Sequence, residues 1–250
     1  MADLVAKHFT FLLLYATIYH MSVFSISDLH LSFKKPKPMD IFGGNWEGYL
    51  DKIETDWCER VGEDDIVLLP GDLSWAMHIE DAMPDIEWVG KLPGHKIILR
   101  GNHDYWWKSI KNLRELLPPK MYALQNDCIR IGRCLFCGTR GWALPEGAKE
   151  TPEDVKIYKR EGERLKLSID AMKKERKDGD EVIAMFHHPP FSNRLAPTVL
   201  TDMITDANIN KAVYGHLHGK IRISPVVEIY GTEYHLTSCD LTGNKLVKIL

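Results

Sequence analysis

The chain has 250 residues, of which 44% are hydrophobic and 27% charged, and its formal net charge is −3. This is an ordinary composition for a globular protein that buries a substantial core. A protein with this weak negative net charge does not attract nucleic acid as a whole, so a polynucleotide would have to be held by a local basic patch. The five cysteines are odd in number and scattered, which argues against a disulfide framework and for a reducing compartment.

The first twenty residues differ from the rest of the chain. Residues 9–19 form an apolar run of the sequence FTFLLLYATIY behind a single lysine, Lys7. The run is too short for a membrane span, and no small-residue cleavage site follows it. We therefore interpret residues 1–20 as an N-terminal extension, such as a misassigned start, and expect one cytoplasmic domain over residues 21–250. Export or anchoring through residues 1–20 is the alternative.

Short apolar runs that end in polar residues organise the remaining sequence. Runs of this length bounded by turn residues predict buried strands. The five runs cover residues 23–27, 66–70, 96–100, 182–186 and 212–214. Directly after them, or after one glycine, stand Asp28, Asp72, Asn102, His187 and His216. Because open α/β sheets build their sites at the carboxyl ends of the strands, we expect these side chains to meet at one sheet edge.

Helical patterns lie between the strands. They cover residues 46–61, 79–89, 106–117 and 151–177. In the second, Pro84 is expected to break or kink the helix. The last begins with Thr151 as a suitable N-cap and Pro152 at the first helical position. Residues 221–250 are strand-like and predict an antiparallel meander that joins the second half of the sheet system. No repeat or linker interrupts the pattern, which indicates one domain.

Five motifs follow one another in a fixed order. They are D-x-H at Asp28 and His30, G-D at Asp72, G-N-H-D at residues 101–104, a later His187, and G-H-x-H at residues 215–218. The D-x-H motif is uninformative by itself. The full set of motifs is highly specific, because all of them occur in order and each stands just past a strand-like run. It resembles the calcineurin-like metallophosphoesterase superfamily over residues 28–218. The strings SDLHLSF, KPMDIFGG and GNHDYWW further resemble a prokaryotic group of predicted phosphohydrolases.

The resemblance implies a fold and a metal centre. The fold would be of the α/β class, an α+β sandwich of two facing mixed sheets flanked by helices. One divalent metal ion would be held by Asp28, His30, Asp72 and His218, and the second by Asp72, Asn102, His187 and His216. Asp72 would bridge them, since a carboxylate has two oxygens. Nitrogen and oxygen donors without a thiolate suit manganese or iron, with zinc as an alternative.

The resemblance also implies a reaction. A hydroxide that bridges the two metals would attack phosphorus in line, and His103 would assist the leaving group. Asp104 would accept a hydrogen bond from the other ring nitrogen of His103 and fix its tautomer.

Residues outside the motifs could contact the substrate. Arg140 and Arg194 are candidate phosphate clamps by charge and position. His188 follows the predicted ligand His187, and on an extended backbone only one of the two can point at the metals, so His188 would contact substrate or pack beside Pro189. Four tryptophans could line a cleft or simply pack the loops. They are Trp75, Trp106, Trp107 and Trp142.

The sequence thus predicts a hydrolase for a small phosphate mono- or diester, and the tryptophans give a slight preference for a small diester or a nucleotide-like substrate. A non-catalytic metal-binding scaffold of the same fold is an alternative, but it predicts damaged ligands or a missing His103, and neither is seen. A nuclease would need a basic track, which the sequence lacks. No membrane span is predicted, and the oligomeric state is not readable.

Overall fold

The computed structural model describes residues 21–144, 151–221 and 223–250. The extension predicted at residues 1–20 lies outside the described residues. The described residues form eleven strands and five α-helices. The strands are β1 Val23–Ser25, β2 Ile66–Leu69, β3 His95–Leu99, β4 Met121–Leu124, β5 Ile129–Ile131, β6 Cys134–Thr139, β7 Glu181–Phe186, β8 Lys211–Tyr214, β9 Val226–Ile229, β10 Thr232–Leu236 and β11 Val247–Lys248. The helices are α1 Tyr49–Arg60, α2 Ile79–Lys91, α3 Ile110–Leu116, α4 Pro152–Glu175 and α5 Val199–Asp206.

The strands form two mixed sheets. The first has the order β11-β1-β2-β3-β4, in which β1 to β4 are parallel and β11 pairs antiparallel with β1. The second has the order β5-β6-β7-β8-β10-β9, with β6, β7, β8 and β10 parallel and antiparallel strands at both edges. The predicted architecture of two facing mixed sheets flanked by helices is confirmed.

Three apolar layers hold the sandwich together. The central layer lies between the sheets and includes Ile66 and Leu68 from the first sheet and Phe136 and Met185 from the second. A second layer packs α1, α2 and α3 on the outer face of the first sheet, and a third packs α4 and α5 on the outer face of the second. Strands buried on both faces need apolar residues at consecutive positions, which is the pattern that the sequence shows.

The helix boundaries are partly as predicted. Helix α4 begins with the expected capping box, in which the Thr151 side chain accepts from the Asp154 amide and the Asp154 carboxylate accepts from the amide of the N-cap. Helix α2 continues through Pro84 instead of breaking. The carbonyl of Glu80, four residues earlier, loses its amide partner there and accepts a hydrogen bond from Lys34 Nζ at 3.0 Å instead.

Two predictions were wrong in their bounds or pairing. Helix α3 starts at Ile110 and not at residue 106, because Trp106 and Trp107 are buried in the loop before it, each about 1% exposed. The chain end is not a simple meander: β9 and β10 form the expected antiparallel pair, but β11 crosses to the first sheet. Within the described residues, no helix has the length and apolar character needed to cross a bilayer.

Candidate metal centre

The predicted ligands follow strands of both sheets at their carboxyl ends. Asp28, Asp72 and Asn102 come after β1, β2 and β3 of the first sheet, while His187 and His216 come after β7 and β8 of the second. Four of the seven predicted ligands have a left-handed backbone, with φ of 60° at Asp28, 48° at His30, 53° at Asp72 and 70° at His216. This conformation is costly for residues with a side chain and collects at functional sites. The chain therefore turns sharply after β1, β2 and β8.

Four side chains converge on a first position, which we call subsite A. It is formed by Asp28, His30, Asp72 and His218. The Nε2 atoms of His30 and His218 are 3.4 Å apart, and His218 Nε2 lies 3.4 Å from Asp28 Oδ1. His30 Nε2 lies 3.9 Å from Asp72 Oδ2. The donor atoms of subsite A therefore face one another around a common point.

Four side chains also converge on a second position, subsite B. It is formed by Asp72, Asn102, His187 and His216. Asn102 Oδ1 lies 2.7 Å from His187 Nε2 and 2.9 Å from His216 Nδ1. His187 Nε2 lies 3.4 Å from Asp72 Oδ2. The same oxygen of Asp72 therefore faces both subsites, while its Oδ1 accepts a hydrogen bond from the His103 amide at 2.8 Å.

This arrangement fits divalent metal ions. Ligands of such an ion stand about 2.0–2.2 Å from it, so neighbouring donor atoms are separated by roughly 3 Å. The donor spacings of 2.7 to 3.9 Å within the two subsites have that scale. Asp28 and Asp72 are buried, and burial of two carboxylates is costly unless cations compensate them.

His30 and His216 are held in the neutral form that suits metal binding. Burial lowers the pKa of His30 and His216 to about 4, so both imidazoles are neutral at neutral pH. His187 Nδ1 lies 3.0 Å from the Pro70 carbonyl, which fixes the proton there and leaves the Nε2 lone pair for subsite B. Burial also acts on His218, but hydrogen bonds to Asp240 and Asp28 outweigh it and raise the pKa of His218 to about 10.

Asp240 is a functional candidate that the sequence did not reveal. Its Oδ1 lies 2.9 Å from His218 Nδ1, and its Oδ2 accepts from the Gly219 amide at 2.9 Å. A carboxylate on the far nitrogen of a metal-binding histidine orients the ring and raises its basicity. Asp240 belongs to no motif. The only signal was its position shortly after an apolar run, the one that forms β10.

Asp104 does not have the contacts that we predicted. Its fully buried carboxylate accepts hydrogen bonds from four backbone amides and one indole, and the His103 ring is not among its partners in the described part of the chain. The donors are the amides of Asp72, Leu73, Ser74 and Gly101 and Trp106 Nε1. Burial and the neighbouring Asp72 raise the pKa of Asp104 to about 6. Because it turns inward, Asp104 joins the loop of Asp72 to the loop of Asn102 rather than orienting His103.

His103 stands at the rim of the centre. Its ring is half-buried and packs against Trp75, with ring centroids 4.3 Å apart, and it lies 5.6 Å from the His30 ring. Trp75 also stacks on His30 at 4.6 Å. Trp75 thus packs against two site histidines, whereas Trp106 and Trp107 are each about 1% exposed and pack the loop before α3.

The predicted substrate residues separate into two groups. His188 lies in the centre, with its ring 3.9 Å from that of His216, and the ligand atoms of His187, His188 and His216 lie within 4.8 Å of one another. The expectation that only one of the two neighbours could face the centre was wrong. The amides of His187 and His188 both donate to the Arg140 carbonyl, so the backbone is not extended there and the side chains do not alternate.

Arg140 lies next to this cluster and Arg194 does not. The Arg140 guanidinium stacks on Trp142 at 4.6 Å, and the Trp142 ring lies 5.3 Å from that of His188. Arg194 is exposed in the loop between β7 and α5, where its backbone amide donates a hydrogen bond to Ser192 Oγ.

Two motif glycines allow the close approach of the loops. A Cβ on Gly101 would overlap Asp72 Oδ1, and a Cβ on Gly215 would overlap Asp28 Oδ2. The glycines of G-N-H-D and G-H-x-H are therefore required by packing against the ligand carboxylates.

Comparison with known proteins agrees with this geometry. The family described as calcineurin-like phosphoesterase matches residues 21–220. No curated protein matches the sequence. Among solved structures, the chain is similar to TT1561 of Thermus thermophilus, with 15% identity over 92% of this chain and 98% of that chain and a TM-score of 0.59. It is also similar to the phosphopantetheinyl hydrolase PptH from Mycobacterium tuberculosis, with 16% identity over 92% and 95% of the two chains and a TM-score of 0.56. At these identities the similarity shows the fold alone.

Proposed function

Because the chain belongs to the calcineurin-like phosphoesterase family and is a phosphoester hydrolase, we propose that it hydrolyses a small phosphate mono- or diester at subsites A and B, with His103 assisting the leaving group. A small diester or a nucleotide-like compound is the substrate that we favour. Subsite A would hold one divalent cation and subsite B the other.

The observation that carries the proposal is the shared carboxylate oxygen. Asp72 Oδ2 faces His30 Nε2 on one side and His187 Nε2 on the other, while Oδ1 is occupied by the His103 amide. One oxygen common to two ligand sets would hold two cations close together. Two such cations, when bound, neutralise charge on the phosphoryl group and lower the pKa of a water molecule.

The residues of the chain would divide the remaining tasks. His103 is fixed by its amide beside the shared carboxylate and by Trp75 against its ring, so its imidazole can hydrogen-bond to the departing oxygen. Arg140 and His188 lie beside subsite B and would contact the substrate there. Asp104 would hold the loops that carry Asp72 and Asn102 in position.

The donor set favours manganese or iron, with zinc as the alternative, because all the donors are nitrogen or oxygen atoms. The five free cysteines support a reducing, cytoplasmic location. Cys134 and Cys137 lie buried on β6 and contribute no ligand to either subsite.

The test compares bis-p-nitrophenyl phosphate with p-nitrophenyl phosphate after metal removal and manganese add-back. Wild type, His103→Ala and the control His95→Ala are measured side by side. His95 suits as a control because it is a partly buried histidine at the opposite end of β3, 3.3 Å from the Tyr122 hydroxyl. We expect metal-dependent turnover that falls by about 10²–10⁴ in His103→Ala, the usual contribution of general acid catalysis, and is unchanged in the control.

The other outcomes are distinct. Two bound metals without turnover of either ester would contradict the catalytic proposal and favour the non-catalytic scaffold. Failure to bind two metals would contradict the assignment of the subsites. The preferred ester would separate diester from monoester hydrolysis.

A further inference from the structure

A cavity of about 160 Å³ opens beside subsite B, where the carboxyl ends of β3, β4 and β6 meet helix α4. Four of the five charged side chains in its lining are basic. The side chains that matter here, which we call the basic pocket, are Arg100, Lys108, Thr139, Arg140, Glu161 and Arg164. A water molecule takes about 30 Å³ of liquid volume, so the cavity can accept a group as large as several waters, such as a phosphate.

The charges in the basic pocket do not balance. Glu161 is fully buried and is its only carboxylate among the described lining residues. It accepts from Arg164 Nη1 at 2.6 Å and from Thr139 Oγ1 at 2.5 Å, and it lies 3.6 Å from Arg140 Nη2. The four basic side chains and the one carboxylate together give the basic pocket a formal net charge of +3.

Two of the guanidinium groups each have one buried nitrogen without a hydrogen-bond partner among the described residues. The Nε atoms of Arg100 and Arg140 are buried and make no hydrogen bond within the described residues. The same part of the structure shows no side-chain hydrogen bond or ion pair for Arg100 or Lys108. A buried donor without a partner is costly, and an ion cluster that served only the fold would be expected to balance its charges. The basic pocket therefore has the charge and the free donors to bind an anion.

The basic pocket shares its walls with the metal centre. Arg100 directly precedes the Gly101-Asn102 loop, and the Arg140 carbonyl binds the amides of His187 and His188. The pocket is lined from the ends of β3, β4 and β6, and these strands are next to or the same as the strands that carry Asn102 and His187 of subsite B, which are β3 and β7. An anion there would be a neighbour of a group bound at subsite B.

We propose that the basic pocket binds a second phosphate group of the substrate, so that the preferred substrate is a bisphosphate. The inference rests on the proposed function, since it assigns the pocket to the substrate of that site. Guanidinium groups suit this role because their planar donors match phosphate oxygens in pairs. The scissile phosphate would lie at the subsites, and the second phosphate would be held by Arg100, Arg140 and Arg164.

The first test counts bound inorganic phosphate by equilibrium dialysis of the metal-loaded protein. Wild type is compared with the double variant Arg100→Gln/Lys108→Gln. The control is Arg160→Gln, which removes an exposed arginine from the same helix as Arg164, where it pairs with Glu153 outside the cavity. We expect the double variant to bind one phosphate fewer per chain than wild type and the control. Equal counts in all three proteins would overturn the proposal.

The second test measures KM for adenosine 5′-phosphate and adenosine 3′,5′-bisphosphate with the same proteins. We expect Arg100→Gln/Lys108→Gln to raise KM for the bisphosphate about tenfold or more, the effect of losing a hydrogen bond to a charged group, and to leave KM for the monophosphate unchanged. A parallel rise for both compounds would contradict a pocket for the second phosphate. If neither adenosine compound nor bis-p-nitrophenyl phosphate is hydrolysed by any protein although the phosphate count falls in the double variant, the pocket is confirmed as an anion site and the proposed function fails.

Discussion

At the scale of single residues, we expect the contacts behind the proposed ligands to affect how tightly the site binds metal. His218 Nδ1 is held by Asp240 at 2.9 Å, which directs Nε2 into subsite A. Asp240→Asn keeps the shape of the side chain but removes its charge, so the ring becomes a weaker ligand. We expect metal affinity to fall about 10–100-fold, as for other carboxylates behind metal-binding histidines.

Titration calorimetry of the metal-depleted protein with manganese measures this prediction. Asp178→Asn, which changes an exposed aspartate in the loop after α4, is the control and should leave affinity unchanged. Equal affinities for Asp240→Asn and wild type would mean that Asp240 does not orient His218.

A second prediction concerns Gly101. A Cβ at this position would overlap Asp72 Oδ1, so Gly101→Ala must displace the carboxylate whose other oxygen, Oδ2, faces both subsites. We expect loss of metal binding and of activity. The matched control is Gly162→Ala in α4, where a Cβ meets only Leu200 Cδ2 at 4.0 Å, and where alanine should stabilise the helix by about 0.5–1 kcal/mol.

These two expectations are tested by measuring the metal content and the thermal unfolding of both glycine variants. Retention of both metals by Gly101→Ala would show that the loop adjusts without moving Asp72. A loss of stability in Gly162→Ala would contradict the open environment of that position.

At the scale of the elements, the N-cap of α4 is stabilised by hydrogen bonds between residues close together in the chain. Thr151 Oγ1 accepts from the Asp154 amide, and the Asp154 carboxylate accepts from the Thr151 amide and from Trp142 Nε1. Loss of a threonine N-cap costs about 1 kcal/mol. We expect Thr151→Ala to lower the free energy of unfolding by that amount in urea denaturation, and Thr151→Ser to restore most of it.

The same cap predicts a dependence on pH. Hydrogen bonds from Thr151 and Trp142 lower the pKa of Asp154 from its ordinary value of 3.8. A carboxyl group whose pKa is lower in the folded state stabilises the fold above its unfolded pKa, and this contribution is lost as the pH falls through the folded value. The Tm of wild type should therefore exceed that of Asp154→Asn at neutral pH, and the two should converge below pH 3.8. A constant difference across that range would exclude the charged cap as its cause.

At the scale of the whole molecule, the metal centre joins the two sheets. Asp28, Asp72 and Asn102 follow strands of the first sheet. His187 and His216 of subsite B follow strands of the second sheet. Bound metals would therefore link the sheets and compensate the buried carboxylates. A ligand present at one hundred times its Kd stabilises the folded state by about 2.7 kcal/mol. We expect EDTA to lower Tm measurably, and manganese to restore it.

Asp72→Ala is the informative variant for this prediction. It removes the oxygen common to both subsites, so its Tm should not respond to EDTA or manganese. A response as large as that of wild type would mean that the stabilising metal lies elsewhere.

Much of the site could be predicted from the sequence because its signals are local. Asp28, Asp72, Asn102, His187 and His216 each follow a short apolar run, and the strand and the turn that ends it are fixed by neighbouring residues. The cap at Thr151 is local in the same sense. The two-sheet architecture followed from the resemblance that these motifs carry.

The remainder was decided by contacts between residues distant in the chain. Asp240 reaches His218, β11 pairs with β1, and Asp104 turns inward to bind the loop of Asp72 instead of the adjacent His103 ring. The basic pocket likewise gathers Arg100, Arg140 and Arg164 from three separate elements. Sequence patterns report periodicity and turns over a few residues, whereas these partnerships depend on which strands become neighbours and which side chains are buried between them. For that physical reason the sequence determined the ligand types and the strands that carry them, and the tertiary structure alone determined their supporting partners and the charge of the pocket beside them.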